Sequence, residues 1–360
     1  MMNKVDPRIP SGCSLCGILN ESGNLVKGET VIKMINIMHQ RANGLGGGFA
    51  AYGIYPENKD EYCFHLMYSN RKAKEDTESY LKHYFKIVKS EVIPTWSVEI
   101  IINRPLLYRY FLQIKPEIRK EFHGMSEDSI VLSWVMKINS QFSGAFVISS
   151  GKNMGIFKGV GFPEDIANFY RIDEYEAYLW IAHGRFPTNT PGWWGGAHPF
   201  GLLDWALIHN GEISSYGINK RYLEGFGYKL MLQADSESIL YLFDLLLRRH
   251  KLPLKIACRA LAPVHWTEIE RMSGGEKELN KAIRMTYGSA LVNGPSSLIL
   301  GHRKGMLGLN DRIKLRPLMA ARKGDMFYLS SEECGIREIC HQPDKIWAPK
   351  AGEPAIGELR

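Results

Sequence analysis

The sequence has no run approaching the roughly 18 consecutive apolar residues of a membrane span, and its first dozen residues lack the apolar centre of a secretion signal. Both absences point to the cytoplasm and to no membrane partner. Cysteine is sparse: the six at positions 13, 16, 63, 258, 334 and 340 do not form an extracellular disulfide framework, so reduced thiols are expected. Cys13 and Cys16 have the Cys-x-x-Cys spacing of many redox and zinc motifs. No second pair stands at ligand spacing and the flanks do not resemble a thioredoxin turn, so no metal site is expected. Repeats, low-complexity stretches and nucleic-acid-binding signatures are also missing. The net charge of +7 is scattered along the chain, which fits solubility or a basic face for a protein partner better than nucleic acid.

With 45% hydrophobic residues in 360, the chain can bury one large core or two domains of ordinary size. Val31, Met34, Ile35 and Met38 fall at the spacing of a helix with one buried face, over residues 29–38. The glycine-rich stretch 43–48 cannot continue that helix and leads into a strand-like run at 49–55. Residues 62–140 alternate short β-rich runs, such as 98–102, with helical stretches, such as 75–88, and carry no catalytic-looking cluster. They are read as an α/β insertion covering about residues 60–175. Residues 178–217 are dense in Gly, Trp, Pro, His and Asn, as expected of functional loops on a strand scaffold. A helix is expected over 236–247, with Ile239, Leu240, Phe243 and Leu247 on its apolar face, and strands at 297–300, 326–330 and 346–347.

Chemistry concentrates in a few short segments. In Ser11-Gly12-Cys13-Ser14-Leu15-Cys16-Gly17-Ile18, a thiol precedes a strand beginning at Leu15. A thiol with pKa near 8.5 is a modest nucleophile at neutral pH, and a free α-amine on the same residue, pKa about 7.7 to 8.0, can take its proton and return it to a departing amine. Such chemistry needs cleavage before the cysteine. In His183-Gly184-Arg185-Phe186-Pro187-Thr188-Asn189-Thr190, Arg185 offers the paired donors that hold a carboxylate bidentately. Trp193-Trp194-Gly195-Gly196-Ala197-His198-Pro199-Phe200 follows, where His198 either lines a pocket or supports its loop. Taken alone, Asn210-Gly211 is a hairpin turn, and Asp235, just before an amphipathic helix, is an N-cap.

In this order the segments resemble the class II glutamine amidotransferases. The Thr188-Asn189-Thr190 ending is most like glutamate synthase, and Arg316-Pro317-Leu318 and Ser330-Ser331-Glu332 extend the likeness as scaffold features. The resemblance implies an α+β fold, the four-layer αββα sandwich of N-terminal nucleophile hydrolases, with residues 1–12 as a propeptide and 13–360 as the amidotransferase domain. It implies Cys13 as nucleophile, Asn210 and Gly211 as oxyanion donors, and Arg185, Thr188, His198 and Asp235 around glutamine. Cys16-Gly17-Ile18 competes for the start of the mature chain, but counting from Cys13 puts Gly17 where the family has its second glycine. Arg41-Ala42-Asn43-Gly44 departs from the family's Arg-Gly-x-Asp. No cofactor is expected in this chain; FMN and an iron–sulfur cluster are expected on partner subunits of a glutamate synthase-like complex that receives the ammonia. Two other readings stay open: an inactive regulatory or structural subunit of the same fold, and an amidohydrolase acting on another small amide.

Overall fold

The computed structural model describes residues 12–187 and 192–360. Seven antiparallel strands form the first sheet, in the order Lys345–Trp347, Met319–Lys323, Met326–Ser330, Ser14–Asn20, Leu179–Gly184, Gly47–Tyr52 and Met154–Gly159. Five more form the second, in the order Phe200–Leu202, Trp205–Gly211, Ser296–His302, Gly305–Asn310 and Ala355–Glu358. The period-two alternation of side chains decides how the sheets stack. Leu15 and Leu19 on one face of the Ser14–Asn20 strand pack with Ile181, Ile208, Ile299 and Met306 between the sheets, whereas Cys16 and Ile18 point into the outer layer. Gly17 lies on the inner face, where a Cβ would sit 2.9 Å from Met306 Sδ, so the glycine admits the facing sheet.

Each outer face is covered by helices. Val31, Met34 and Ile35 of Gly28–Asn36, Ile166 of Pro163–Tyr170 and Ile336 of Glu333–Ile339 share a core with Cys16, Ile18 and Trp180 of the first sheet. On the other side, Ile239, Leu240 and Phe243 of Asp235–Asp244 and Ala257 and Leu261 of Leu254–Leu261 pack on Leu207, Leu298 and Leu300 of the second sheet. Helix, sheet, sheet and helix make the αββα sandwich.

A separate antiparallel sheet, ordered Phe85–Val92, Leu106–Ile114, Tyr62–Tyr68 and Ala145–Ser149, packs with the helices Arg71–Tyr84 and Glu127–Gln141. The segment outside the sandwich therefore ends near Ser149. The strand Met154–Gly159 and helix Pro163–Tyr170 return to the main layers, well short of the expected boundary at about 175. Residues 98–102 form no strand despite their β-branched composition. The run sits between Pro94 and Pro105, Asn103 has φ +52°, no neighbouring strand pairs with it, and Ile100 and Ile102 are exposed. The helix expected over 75–88 ends at Tyr84, and the chain enters a strand at Phe85.

Candidate active site

The strands Ser14–Asn20 and Leu179–Gly184 pair with Ser14 opposite Gly184, so the residue before the first strand and those after the second emerge side by side. Cys13 and Phe186 meet there: the Phe186 N–H donates to Cys13 Sγ at 3.3 Å. Three further segments fasten the same point. Arg41 Nε donates to the Cys13 carbonyl at 3.2 Å, and its Nη1 pairs with Glu332 Oε1 at 2.7 Å. Leu15 N–H donates to Ser331 Oγ at 2.9 Å, which ties the start of the strand to the Ser330-Ser331-Glu332 turn. Gly12 packs beside two guanidinium groups, since a Cβ there would lie 3.2 Å from Arg41 Nη2 and 3.4 Å from Arg316 Nη1. Burial pushes the Cys13 thiol above its ordinary range, while the Phe186 N–H and the charges of Arg185, Arg316 and Arg41 pull it back. Cys16, by contrast, is sealed in the outer core, where burial alone drives its thiol up.

A cavity of about 450 Å³ opens on Cys13 and is lined also by Arg185, Phe186, His198, His209, Gly211, Gln233 and Asp235. Arg185 follows the Leu179–Gly184 strand and is buried. Its N–H donates to the Gly46 carbonyl at 2.8 Å, and Arg185 Cδ would lie 3.0 Å from a Cβ on Gly46 (φ +153°). The glycine-rich turn thus lets the backbone close over the arginine. Burial lowers the Arg185 pKa, and Cys13 and Asp235 oppose that shift.

Asp235 begins the helix Asp235–Asp244, with Ala234 as its N-cap residue. Its carboxylate does not cap its own helix: Oδ2 accepts from Ile213 N–H at 3.1 Å. Ser236 is the hub behind it. His198 Nε2 lies 2.8 Å from Ser236 Oγ, His209 Nδ1 lies 3.0 Å from it, and Oγ lies 3.2 Å from Asp235 Oδ1. A hydroxyl has one proton and two acceptor sites. Every contact is satisfied when Ser236 donates to Asp235 and accepts N–H bonds from both imidazoles. His183 stacks on His198 at 4.1 Å and donates through Nε2 to the His209 carbonyl at 3.1 Å. Burial lowers all three imidazoles, His183 to about 3, so they stand neutral beside Asp235.

Asn210 is the next-to-last residue of the Trp205–Gly211 strand, and its buried Nδ2 has no hydrogen-bond partner among the described residues. Its Oδ1 lies 3.7 Å from where a Cβ on Gly12 would sit, which places the amide beside Cys13 although Asn210 does not line the cavity. At Gly211 a Cβ would fall 2.0 Å from the Pro295 carbonyl oxygen, so only glycine fits.

Of the residues expected from the sequence, Cys13, Arg185, His198, Gly211 and Asp235 meet at one cavity, with Asn210 just behind. Thr188 lies outside the described residues. Arg41, Phe186, His209, Ser236 and Arg316 were not foreseen as site residues. His209 and Ser236 stand next in sequence to Asn210 and Asp235, whereas Phe186 acts through its backbone, which no residue type announces. Among the described residues no group of three or more His, Cys, Asp or Glu could hold a metal ion.

The family model for glutamine amidotransferases class-II matches residues 53–350. The chain belongs to that family. Arg185, Asn210, Gly211 and Asp235 fall inside the matched residues, and Cys13 lies before them. An uncharacterized protein of Archaeoglobus fulgidus is 47% identical over 351 residues, which cover 97% of this chain and 92% of that protein. A protein of Methanothermobacter thermautotrophicus, provisionally described as a glutamine amidotransferase, is 24% identical over 91% of this chain and 93% of its own length. The large chain of NADPH glutamate synthase from Bacillus subtilis is 28% identical over 51% of this chain, a match spanning 13% of that protein. Among the described residues of this class II amidotransferase, no helix is long and apolar enough to cross a membrane.

Proposed function

We propose that the chain is a glutaminase component that hydrolyses glutamine to glutamate and ammonia and passes the ammonia to a synthase partner. The observation that carries this reading is the single cavity lined by the Cys13 thiol together with a guanidinium, Arg185, and a carboxylate, Asp235. Those two charges match the α-carboxylate and α-ammonium of a free amino acid, and the thiol then faces the side-chain amide.

Cleavage of the Gly12–Cys13 bond frees the α-amine. It takes the thiol proton as Sγ attacks the amide carbon, and the oxyanion is met by Asn210 Nδ2 and Gly211 N–H. Collapse breaks the C–N bond, the α-amine protonates the leaving nitrogen, and ammonia departs from a thioester. Water then attacks the thioester, releasing glutamate and the thiol. FMN and an iron–sulfur cluster belong to the partner chains in this scheme, and the likeness to part of a glutamate synthase large chain supports a partner of that type.

The test is glutamine- and ammonia-dependent synthesis by the chain assembled with its partner. Cys13→Ala is expected to abolish the first and leave the second. N-terminal sequencing of active protein is expected to start at Cys13, and fully active protein starting at Met1, or equal glutamine activity in the mutant, would overturn the scheme.

A further inference from the structure

Beneath the cavity lie two buried ionisable side chains that the proposed chemistry does not use; burial lowers the Lys158 pKa to about 7 and raises that of Glu237. Lys158, on the Met154–Gly159 strand of the first sheet, is buried, and so is Glu237, in the first turn of the Asp235–Asp244 helix over the second. Lys158 Nζ donates to the carbonyls of Gly195 and Ala197, each at 2.9 Å, and stands 4.6 Å from the centre of the Phe200 ring. Its three protons are thereby accounted for, two on carbonyls and the third toward an aromatic face. Glu237 accepts from Met231 N–H at 3.1 Å, Leu232 N–H at 2.9 Å and the Tyr241 hydroxyl at 2.9 Å.

The backbone groups these side chains hold lead directly into residues that line the cavity. Ala197 immediately precedes His198, which reaches Asp235 through Ser236. Met231 and Leu232 immediately precede Gln233, Ala234 and Asp235, all of which line the cavity. Each charge also favours the ionised form of the other against burial. A methionine at 158 would fill the space but orphan two carbonyls, and a glutamine at 237 would turn an NH₂ toward at least one of the backbone donors.

We propose that Lys158 and Glu237 are two positioning residues for the amino-acid-binding end of the cavity, each pinning by backbone hydrogen bonds a segment that leads into its lining. Their effect falls on the affinity for the α-ammonium group, because the segments they hold carry Asp235 and its supports and neither Arg185 nor the thiol. This rests on the glutaminase reading only through the identity of the substrate.

The experiment compares wild type with Lys158→Met, Glu237→Gln, the double variant and the milder Tyr241→Phe, which removes one bond to Glu237 and keeps both charges. Two quantities are read: amide exchange at Met231 and Leu232, and the KM and kcat of glutamine hydrolysis. Glu237→Gln is expected to speed exchange at those amides about tenfold or more, and each single charge variant to raise KM about tenfold with kcat within about threefold. The double variant should raise KM less than the product of the two singles, since neither charge is left alone. Tyr241→Phe should shift exchange and KM in the same direction by a smaller factor. Active wild type with KM within about twofold in every folded variant, or a loss of kcat at constant KM, would overturn the proposal. Wild type without glutaminase activity would sink the glutaminase reading instead, and exchange at Met231 and Leu232 would still decide the pair, unchanged rates in Glu237→Gln and Tyr241→Phe counting against it.

Discussion

The backbone N–H of Phe186 points at Cys13 Sγ from 3.3 Å, a contact between residues 173 positions apart. It follows from strand register: with Ser14 opposite Gly184, whatever precedes one strand lies beside whatever follows the other. The arrangement brings Arg185 to the thiol as well, so one antiparallel pair places both the Cys13 thiol and the Arg185 guanidinium at the cavity.

Arg185→Lys and Asp235→Asn should weaken glutamine binding and leave the thiol in place. Loss of a hydrogen bond to a charged group costs about 1.5 to 3 kcal/mol, which is roughly 10- to 150-fold in KM. Steady-state kinetics check this, with iodoacetamide alkylation of Cys13 as a control for an intact thiol. Unchanged KM in both folded variants would reject the clamp.

Arg41→Met removes the bond to the Cys13 carbonyl and one of the three cations that pull the thiol pKa down against burial. A cation favours the thiolate, so its loss raises the pKa further and lowers the thiolate fraction at any given pH. Alkylation of Cys13 should slow at pH 8, and its pH profile should move to higher pH. A profile that stays put would show that the guanidinium holds the backbone only.

Ser236→Ala strips both His198 and His209 of their shared acceptor and Asp235 of a donor. Leaving buried polar groups unpaired costs about 1 to 3 kcal/mol each. Urea unfolding should show a loss in that range or larger, with a rise in glutamine KM because Asp235 loses a constraint. An alanine variant as stable as wild type would contradict the hydroxyl hub.

Stability should fall as the solution is acidified below the ordinary histidine range. Burial pushes His65 and His183 from 6.5 down to about 3, so each is neutral in the fold but takes up a proton on unfolding once the pH drops below 6.5. The unfolded state then binds more protons, and stability is lost from pH 6.5 toward 3, by about 2 kcal/mol per histidine between pH 7 and 5. Denaturant unfolding at the two pH values measures this, and His65→Gln should remove one histidine's share. His65 bonds Tyr55 and the Ile156 carbonyl away from the cavity, so this share is separate from the site.

The sequence by itself determined what depends on near neighbours and on residue chemistry. The spacing of Val31, Met34 and Ile35 specifies a helix with one buried face, and the segment from Leu15 reads as a strand, as found. The ordered cysteine, arginine and aspartate motifs located the thiol, guanidinium and carboxylate that line the cavity, because such groups advertise their chemistry at any position. Only the tertiary structure decided what depends on register and layer packing. Residues 98–102 have strand composition but no partner to pair with, and the Met154–Gly159 strand belongs to the main sheet because Gly47–Tyr52 lies beside it. Arg41 reaching Cys13, Ser236 joining two imidazoles to Asp235, and the paired burial of Lys158 and Glu237 all join groups on different layers or loops. Such contacts form only when two sheets and their helices close on one another, and no local period in the chain records that closure.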